Sequence, residues 1–323
     1  MNTILVPLDG SALAEQILPY VRGLAPSLSA RVCLLRVLAD EENDNLVADG
    51  IMWAYGIGDP PEAYRERTQR LWDALRERAA GYLATVAMQL QDAGLDIETM
   101  VRIGPPDENI VEAARSQHAT LIAMVTHGYG GLRRWTLGSV TDKVVHSATT
   151  PVFIVRGVAP ASHDLALKRI LVPLDGSELA KQALPLAAEL ATCANAELIL
   201  LEAVAPTIEA YPGFRPVGRP QSQLADVLIA QRHQATKELD TLAGELRRQH
   251  LSVKVAVVNG HAAEVIIDEA ARRGADLIVM ATHGYSGLRR WAMGSVANKV
   301  LHATTTPLVL VRARASGQAT IAE

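Results

Sequence analysis

Short runs rich in Val, Ile and Leu recur along the chain, separated by longer stretches whose apolar residues fall three and four positions apart. The first run, Thr3–Pro7, leads into a helical pattern from about Ala12 to Leu28 and then a second run at Arg31–Leu38. A long amphipathic helix is predicted over roughly Glu62–Ala93. It is followed by a strand at Asp96–Ile103, a helix after Pro106, a strand at Thr120–Val125, a helix from Gly138 and a strand at Val152–Val155. Strands alternating with helices in this order are predicted to lie parallel, with right-handed helical crossovers covering both faces of the sheet.

The pattern then starts again. The string ILVPLDGSALAEQILP at Ile4–Pro19 returns as ILVPLDGSELAKQALP at Ile170–Pro185, and the string covering Thr126–Arg156 returns at Thr282–Arg312. The first copy is longer between its two motifs, and the extra chain is assigned to an acidic, Gly- and Pro-bearing loop around Asp40–Pro61. The second copy has its own Pro- and Gly-rich stretch at Pro206–Pro220, in the equivalent place. Gly157–Ala166 breaks the periodicity, which sets the expected organisation: a first domain over residues 1–157, a linker over 158–167, a second domain over 168–313 and a flexible tail over 314–323. The full length of 323 residues suits two such domains better than one core.

Composition narrows the function classes. Hydrophobic residues make up 49% and aromatic residues 4%, so the cores must be built from aliphatic side chains, as in covered parallel sheets. A formal charge of -4 gives no overall footprint for nucleic acid or an anionic membrane, and no apolar stretch approaches the roughly 20 residues that span a bilayer. No secretory leader is read at the start, so a cytoplasmic location is expected. Cys33 and Cys193 lie beside apolar runs without metal-ligand spacing and are read as buried free thiols.

Two motifs carry candidate chemistry. Pro7, Leu8 and Asp9 followed by Gly10-Ser11, repeated as Pro173, Leu174 and Asp175 followed by Gly176-Ser177, place a carboxylate and a hydroxyl at the carboxyl edge of a strand. Ligands of open α/β sheets bind at such edges, but Asp-Gly-Ser is also ordinary turn and helix-cap chemistry, and both readings stand. The second motif is more specific. His127-Gly128 is separated by nine residues from Gly138-Ser139, and His283-Gly284 by the same spacing from Gly294-Ser295. Glycine at a strand exit admits a close backbone approach, and Gly-Ser at a helix start offers free N–H groups and a hydroxyl to a phosphate. The competing reading makes Ser139 and Asp142 a capping box that serves only the helix.

Other residues in these segments have plainer readings. Arg133, Arg134, Arg289 and Arg290 are read as solvated loop residues in preference to phosphate ligands. His127 and His283 lack a nucleophile with an orienting carboxylate, so a loop-packing or ribose-edge role is favoured over catalysis. Gly104 and Gly260 are assigned to strand-to-helix turns. No catalytic residue and no metal site is assigned.

With these residues in view, the chain resembles the universal stress protein family twice over, from Ile4 to Arg156 and from Ile170 to Arg312. The resemblance implies two flavodoxin-like (adenine nucleotide alpha hydrolase-like) α/β domains. Each would be a five-stranded parallel sheet of order 3-2-1-4-5 with helices on both faces and nucleotide at the switch point. The family's ATP-binding branch carries G-x-x-G, nine residues, then G-[ST]. Gly128, Gly138 and Ser139 match it in the first half, and Gly284, Gly294 and Ser295 in the second.

Both halves depart at the first glycine, which is Val125 in one and Ala281 in the other, each preceded by a methionine, Met124 or Met280. A branched valine crowds a ribose more than a single methyl does, so the second site is expected to be occupied in preference to the first. By the same resemblance Asp9 and Asp175 would sit near adenosine or a phosphate-bound metal, and Val37 and Ala203 would line the adenine. Val140 and Thr141, with Val296, would follow the serine on the phosphate side. The implied cofactor is ATP, alone or with Mg2+. The implied role is nucleotide-dependent stress response or signalling toward a protein partner that the sequence does not name, with slow hydrolysis incidental. The alternatives are a nucleotide-free scaffold or a weak ATPase. The last strands, Pro151–Val155 and Pro307–Leu310, would pair within the chain as a pseudo-dimer, alone or associated further into a homodimer.

Overall fold

The computed structural model describes residues 2–39, 61–91, 94–126, 138–156, 167–205, 221–283 and 293–313. They fall into two compact units, one made of those before 127 together with 138–150, the other of 151–156 and those from 167 onward. The loops expected at Asp40–Pro61 (but for its final proline) and Pro206–Pro220, the break at Gly157–Ala166 and the tail beyond 313 lie outside the described residues.

The first unit runs β1 (Asn2–Pro7), a single 3-10 turn at Ala14–Ile17, α1 (Leu18–Ser27), β2 (Ala30–Leu38), α2 (Pro61–Gln91) and β3 (Ile97–Ile103). It continues with α3 (Pro106–Ser116), β4 (Leu121–Thr126) and α4 (Ser139–Ser147). The continuous helix expected from Ala12 to Leu28 is therefore divided. The first turn closes with tighter bonds, Gln16 N–H donating to Leu13 O at 3.1 Å, and the α-helix begins only where Pro19 sits in its first turn.

The strands lie parallel in the order β3-β2-β1-β4. β1 is central: Ile4 is in register with Val32 on one side and Leu121 on the other, and Leu5 with Cys33 and Ile122. Ile4, Leu5 and Val6 have no exposed surface. Each such aliphatic side chain, fully buried, contributes roughly 1.5–3 kcal/mol relative to exposure.

The second unit repeats the plan with β6 (Arg169–Leu174), α5 (Glu178–Lys181), α6 (Leu184–Ala194), β7 (Glu197–Val204), α7 (Gln221–Arg248) and β8 (Val253–Asn259). After these come α8 (Ala262–Arg273), β9 (Leu277–Ala281), α9 (Ser295–Ala303) and β10 (Leu308–Val311). Its parallel strands follow the order β8-β7-β6-β9-β10, which is the expected 3-2-1-4-5.

The last strand of the first repeat, β5 (Val152–Arg156), groups with this second unit. It pairs antiparallel with β10, Phe153 opposite Val309, so the apolar edge of β10 is covered. From the end of β5, Arg156 donates to the carbonyls of Leu301 and His302, satisfying the last turn of α9 with a cation.

Of the two thiols read as buried, Cys33 is and Cys193 is not. Cys33 is buried in β2, and burial pushes its pKa up to about 11, which leaves it an inert thiol. Cys193 is exposed, because it falls in the last turn of α6 on the side away from the sheet. No helix among the described residues is long and apolar enough to cross a membrane.

Gly260 makes the turn from β8 to α8 with φ +147°, and a Cβ there would stand 2.8 Å from Val265 Cγ2. Gly244 lies inside α7 with open space where its Cβ would be. Gly260→Ala is expected to destabilise the protein by about 1–3 kcal/mol, whereas Gly244→Ala stabilises it by up to about 1 kcal/mol. Thermal unfolding of the two variants, followed by circular dichroism, should therefore shift in opposite directions.

Candidate functional site

The carboxyl ends of β6, β7 and β9 converge with the starts of α8 and α9 around a cavity of about 200 Å³. Local chemistry places each wall. Asp175, at the exit of β6, accepts from Ser177 N–H at 3.1 Å and from its hydroxyl at 2.6 Å. The Ser177 oxygen in turn accepts from Ala180 N–H at 3.1 Å, capping α5. Gly176 bridges the two at φ +78°, a conformation that glycine adopts without strain. The first repeat copies the device: Ser11 donates to Asp9 Oδ1 from its N–H at 2.9 Å and its hydroxyl at 2.6 Å, and Ala14 N–H donates to Ser11. The turn-and-cap reading of Asp-Gly-Ser is thus realised in both copies, and it leaves Asp9 and Asp175 exposed at the strand edge.

The second motif opens differently from the capping-box reading. Gly138 and Gly294, not the serines, are the N-cap residues of α4 and α9, and neither helix receives a side-chain cap. Ser139 and Ser295 are the first helical residues and are exposed, Val140 and Val296 are half-buried, and Thr141 and Ala297 are buried. Asp142 instead lies 3.5 Å from His146, one turn further along its own helix. A glycine N-cap has no side chain to satisfy the first amides, so these N–H groups point outward from the positive end of the helix.

Gly294 is held tightly: its N–H donates to Thr282 O at 2.8 Å, and a Cβ on it would lie 3.0 Å from that oxygen. In the first repeat the corresponding tie is a side-chain bond from the Thr141 hydroxyl to Val125 O, at 3.4 Å.

In the second unit the structure brings together nearly every residue singled out from sequence. Pro173, Leu174 and Asp175 come from β6 and its exit, Ala203 from β7, Met280, Ala281 and His283 from β9 and its exit, and Gly294, Ser295 and Val296 from the start of α9. His283 Nδ1 lies 3.1 Å from the Thr282 hydroxyl, a local contact that fits the loop-packing reading. In the first unit Pro7, Leu8, Val37, Met124, Val125, Gly138, Ser139 and Val140 occupy the matching strand ends and helix start. His127, Gly128 and Gly284, and the arginines at 133, 134, 289 and 290, lie outside the described residues.

Sequence reasoning missed Ala180, Leu201, Thr282, Ala262, Ile266 and Ala297 as cavity walls. Leu201 was legible, being two residues before Ala203 on the same strand face. Ala262 and Ile266 were legible only after α8 was known to start directly beyond Gly260.

Comparison with known proteins supplies the lineage. The Universal stress protein family profile matches residues 1–156 and again 166–312. A universal stress protein of Mycolicibacterium smegmatis is 26% identical over 314 residues, spanning 96% of this chain and 97% of its own length. Universal stress protein MJ0577 of Methanocaldococcus jannaschii is 29% identical over 153 residues, 47% of this chain and 93% of its own. In three dimensions, the crystal structure of a universal stress protein from Archaeoglobus fulgidus superposes with a TM-score of 0.69 at 20% identity, covering 96% of this chain and 98% of that one. With the family's profile matched by each repeat in turn, the chain belongs to the universal stress protein family and carries its unit twice.

Proposed function

We propose that the chain is a nucleotide-binding stress-response module that holds one adenine nucleotide, ATP, in the cavity of the second unit. The observation that carries this reading is the uncapped start of α9 opening into a cavity with mainly apolar walls. Leu201, Ala203, Ile266 and Met280 offer the apolar walls that a flat base needs, and the amides and hydroxyl at Ser295 and Val296 offer donors to an anion. Asp175, exposed at the rim, is the acid that a ribose hydroxyl or a phosphate-bound Mg2+ would meet.

Two features favour this site over its copy. Val125 stands where the second repeat has Ala281, which is the smaller side chain in a cavity wall. In addition, α4 carries Asp142 in its first turn, while α9 has no acid there, so the positive end of α9 is not offset by a carboxylate. The first unit then serves as the scaffold half of an intrachain pair. Nucleotide occupancy in the second alters the surface shown to a protein partner, and slow hydrolysis is incidental. The pairing of β5 with β10 supports the pseudo-dimer part of this reading.

Nucleotide released by acid from the purified protein and identified by mass spectrometry should be adenine nucleotide at about one per chain. A well-folded protein that neither retains nor binds ATP at millimolar concentration in equilibrium dialysis overturns the assignment.

Within the cavity, Ala281→Val should weaken ATP binding about tenfold and Ala281→Gly should tighten it, both read by calorimetry. Ala281 is only 6% exposed within β9, where valine suits the strand, so the melting temperature of Ala281→Val serves as the folding control.

A further inference from the structure

Glu202 belongs to none of the roles given so far. It alternates along β7 with the cavity-lining Leu201 and Ala203, so its side chain leaves the sheet on the opposite face. There its Oε2 is shut off from solvent and accepts no hydrogen bond from any described residue. Among the described residues, the charges that face it are both negative: Glu238 from α7 and Asp175 from the turn after β6. The neighbouring strand β8 brings only Val257 into register. Lys181 of α5 lies in the field of Glu238, but its ammonium is bonded to Glu178 at 2.6 Å. Glu238 also accepts from Gln234 at 2.6 Å, and its other oxygen stands 3.2 Å from where a Cβ on Gly176 would be. The Glu238 carboxylate therefore lies directly against the Asp175-Gly176-Ser177 turn that forms one rim of the cavity, and Glu202 lies within the electrostatic reach of both Glu238 and Asp175.

The first repeat has the same three positions filled with compensating groups. Arg36 stands in place of Glu202, one residue before Val37 as Glu202 is before Ala203. Tyr82 stands in place of Glu238, each directly preceding a buried leucine, Leu83 or Leu239. Glu15 stands in place of Lys181. The Tyr82 hydroxyl donates to Glu15 at 3.0 Å, and the Arg36 charge offsets the acids around it.

We propose that Glu202 is a proton-operated latch beneath the second cavity's rim: a proton taken from solvent removes its repulsion with Glu238 and Asp175 and firms the Asp175–Ser177 turn, and ionisation loosens that turn. The first repeat, with Arg36 in this place, has no such response. Burial first, then Glu238 and Asp175, push the pKa of Glu202 up to about 7. The latch thus changes state across the neutral range. Resting further on the nucleotide reading, an anion bound beside Asp175 is held more tightly when Glu202 carries the proton.

The sign of the linkage follows from the raised value. Between the ordinary carboxylate range and about 7 the folded protein holds a proton that the unfolded chain has released, so stability falls as pH rises through that window and then levels off. Glu202→Gln keeps the shape and removes the titration. In thermal melts of the full chain without ligand, this variant should match wild type near pH 5 and exceed it by about 3–6 °C at pH 8. Glu238→Gln removes one of the repelling charges, so it should also raise the melting point at pH 8 and should lower the midpoint of a near-neutral glutamate carboxyl seen by carbon-13 NMR. That resonance should be missing in Glu202→Gln.

Wild type and Glu202→Gln melting in parallel at every pH, with all carboxyls titrating in the ordinary range, would overturn the latch. For the coupling, ATP is titrated at pH 6 and pH 8. Wild type should lose several-fold more affinity than Glu202→Gln between the two, and an equal loss in both overturns the coupling. Should the ligand-free results hold while ATP fails to bind at either pH, the latch stands and the nucleotide reading falls.

Discussion

The geometry of the candidate site depends on one backbone contact, the bond from Gly294 N–H to Thr282 O at 2.8 Å. It pins the start of α9 against the exit of β9, and no side chain larger than hydrogen fits between them without displacing the carbonyl oxygen. Because the N-cap is glycine, the helix begins with no hydroxyl or carboxylate folded back over its first amides. At the other end, Arg156 takes up the last carbonyls of the same helix. α9 is thus satisfied by the protein at its negative end and left open at its positive end, which is the polarity an anion requires.

The strand exits supply the complementary constraint. Parallel order brings β6 and β9 side by side, and their crossovers leave on opposite faces, so a crevice opens between their carboxyl ends whatever residues occupy it. What the residues decide is how much of that crevice is free. The Asp-Gly-Ser turn uses its own hydroxyl and one carboxylate oxygen in local hydrogen bonds, in both repeats. The repeats then diverge at side chains: alanine against valine in the wall, and no acid against Asp142 in the helix start. Both differences leave the second repeat with the smaller wall side chain and the less acidic helix start.

The repeat and the strand ends were legible in the sequence because each rests on local periodicity or on a string that returns nearly unchanged, whereas the sheet order came only from the family resemblance, since periodicity does not say which strands are neighbours. Asp175 and Ser295 could be named from motif spacing, and Ala203 and Ala281 from the family resemblance, and all four line one cavity. The N-cap could not be assigned in this way. Ser139 with Asp142 satisfies the capping-box pattern, yet the helix starts at the serine itself with Gly138 as its N-cap, and its first turn is tied to the strand exit by the Thr141 hydroxyl on Val125 O, a tertiary contact that spacing does not encode. Cys193 was misplaced for a similar reason: apolar neighbours in sequence say little about which side of a helix the thiol takes. β5 was read correctly as a strand, while its antiparallel partner in the second unit depends on an edge that only the folded second repeat presents.

Glu202 shows where pattern reading runs out. In sequence it is, with Glu197, one of two acids in an otherwise apolar strand, and nothing local to the strand shows what faces it. The folded unit instead sets α7 over it and places two further acids around it, and duplication offers a reference for what that costs. With arginine and tyrosine at the equivalent positions the first repeat keeps its turn over compensated charge, so three acids are not a requirement of the architecture. A half-buried carboxylate with one oxygen shut off from solvent and without a donor is less favourable ionised than neutral. The second repeat therefore sets the energy of its cavity rim partly by proton concentration, while the first sets the same rim by an arginine whose charge does not change in the physiological range.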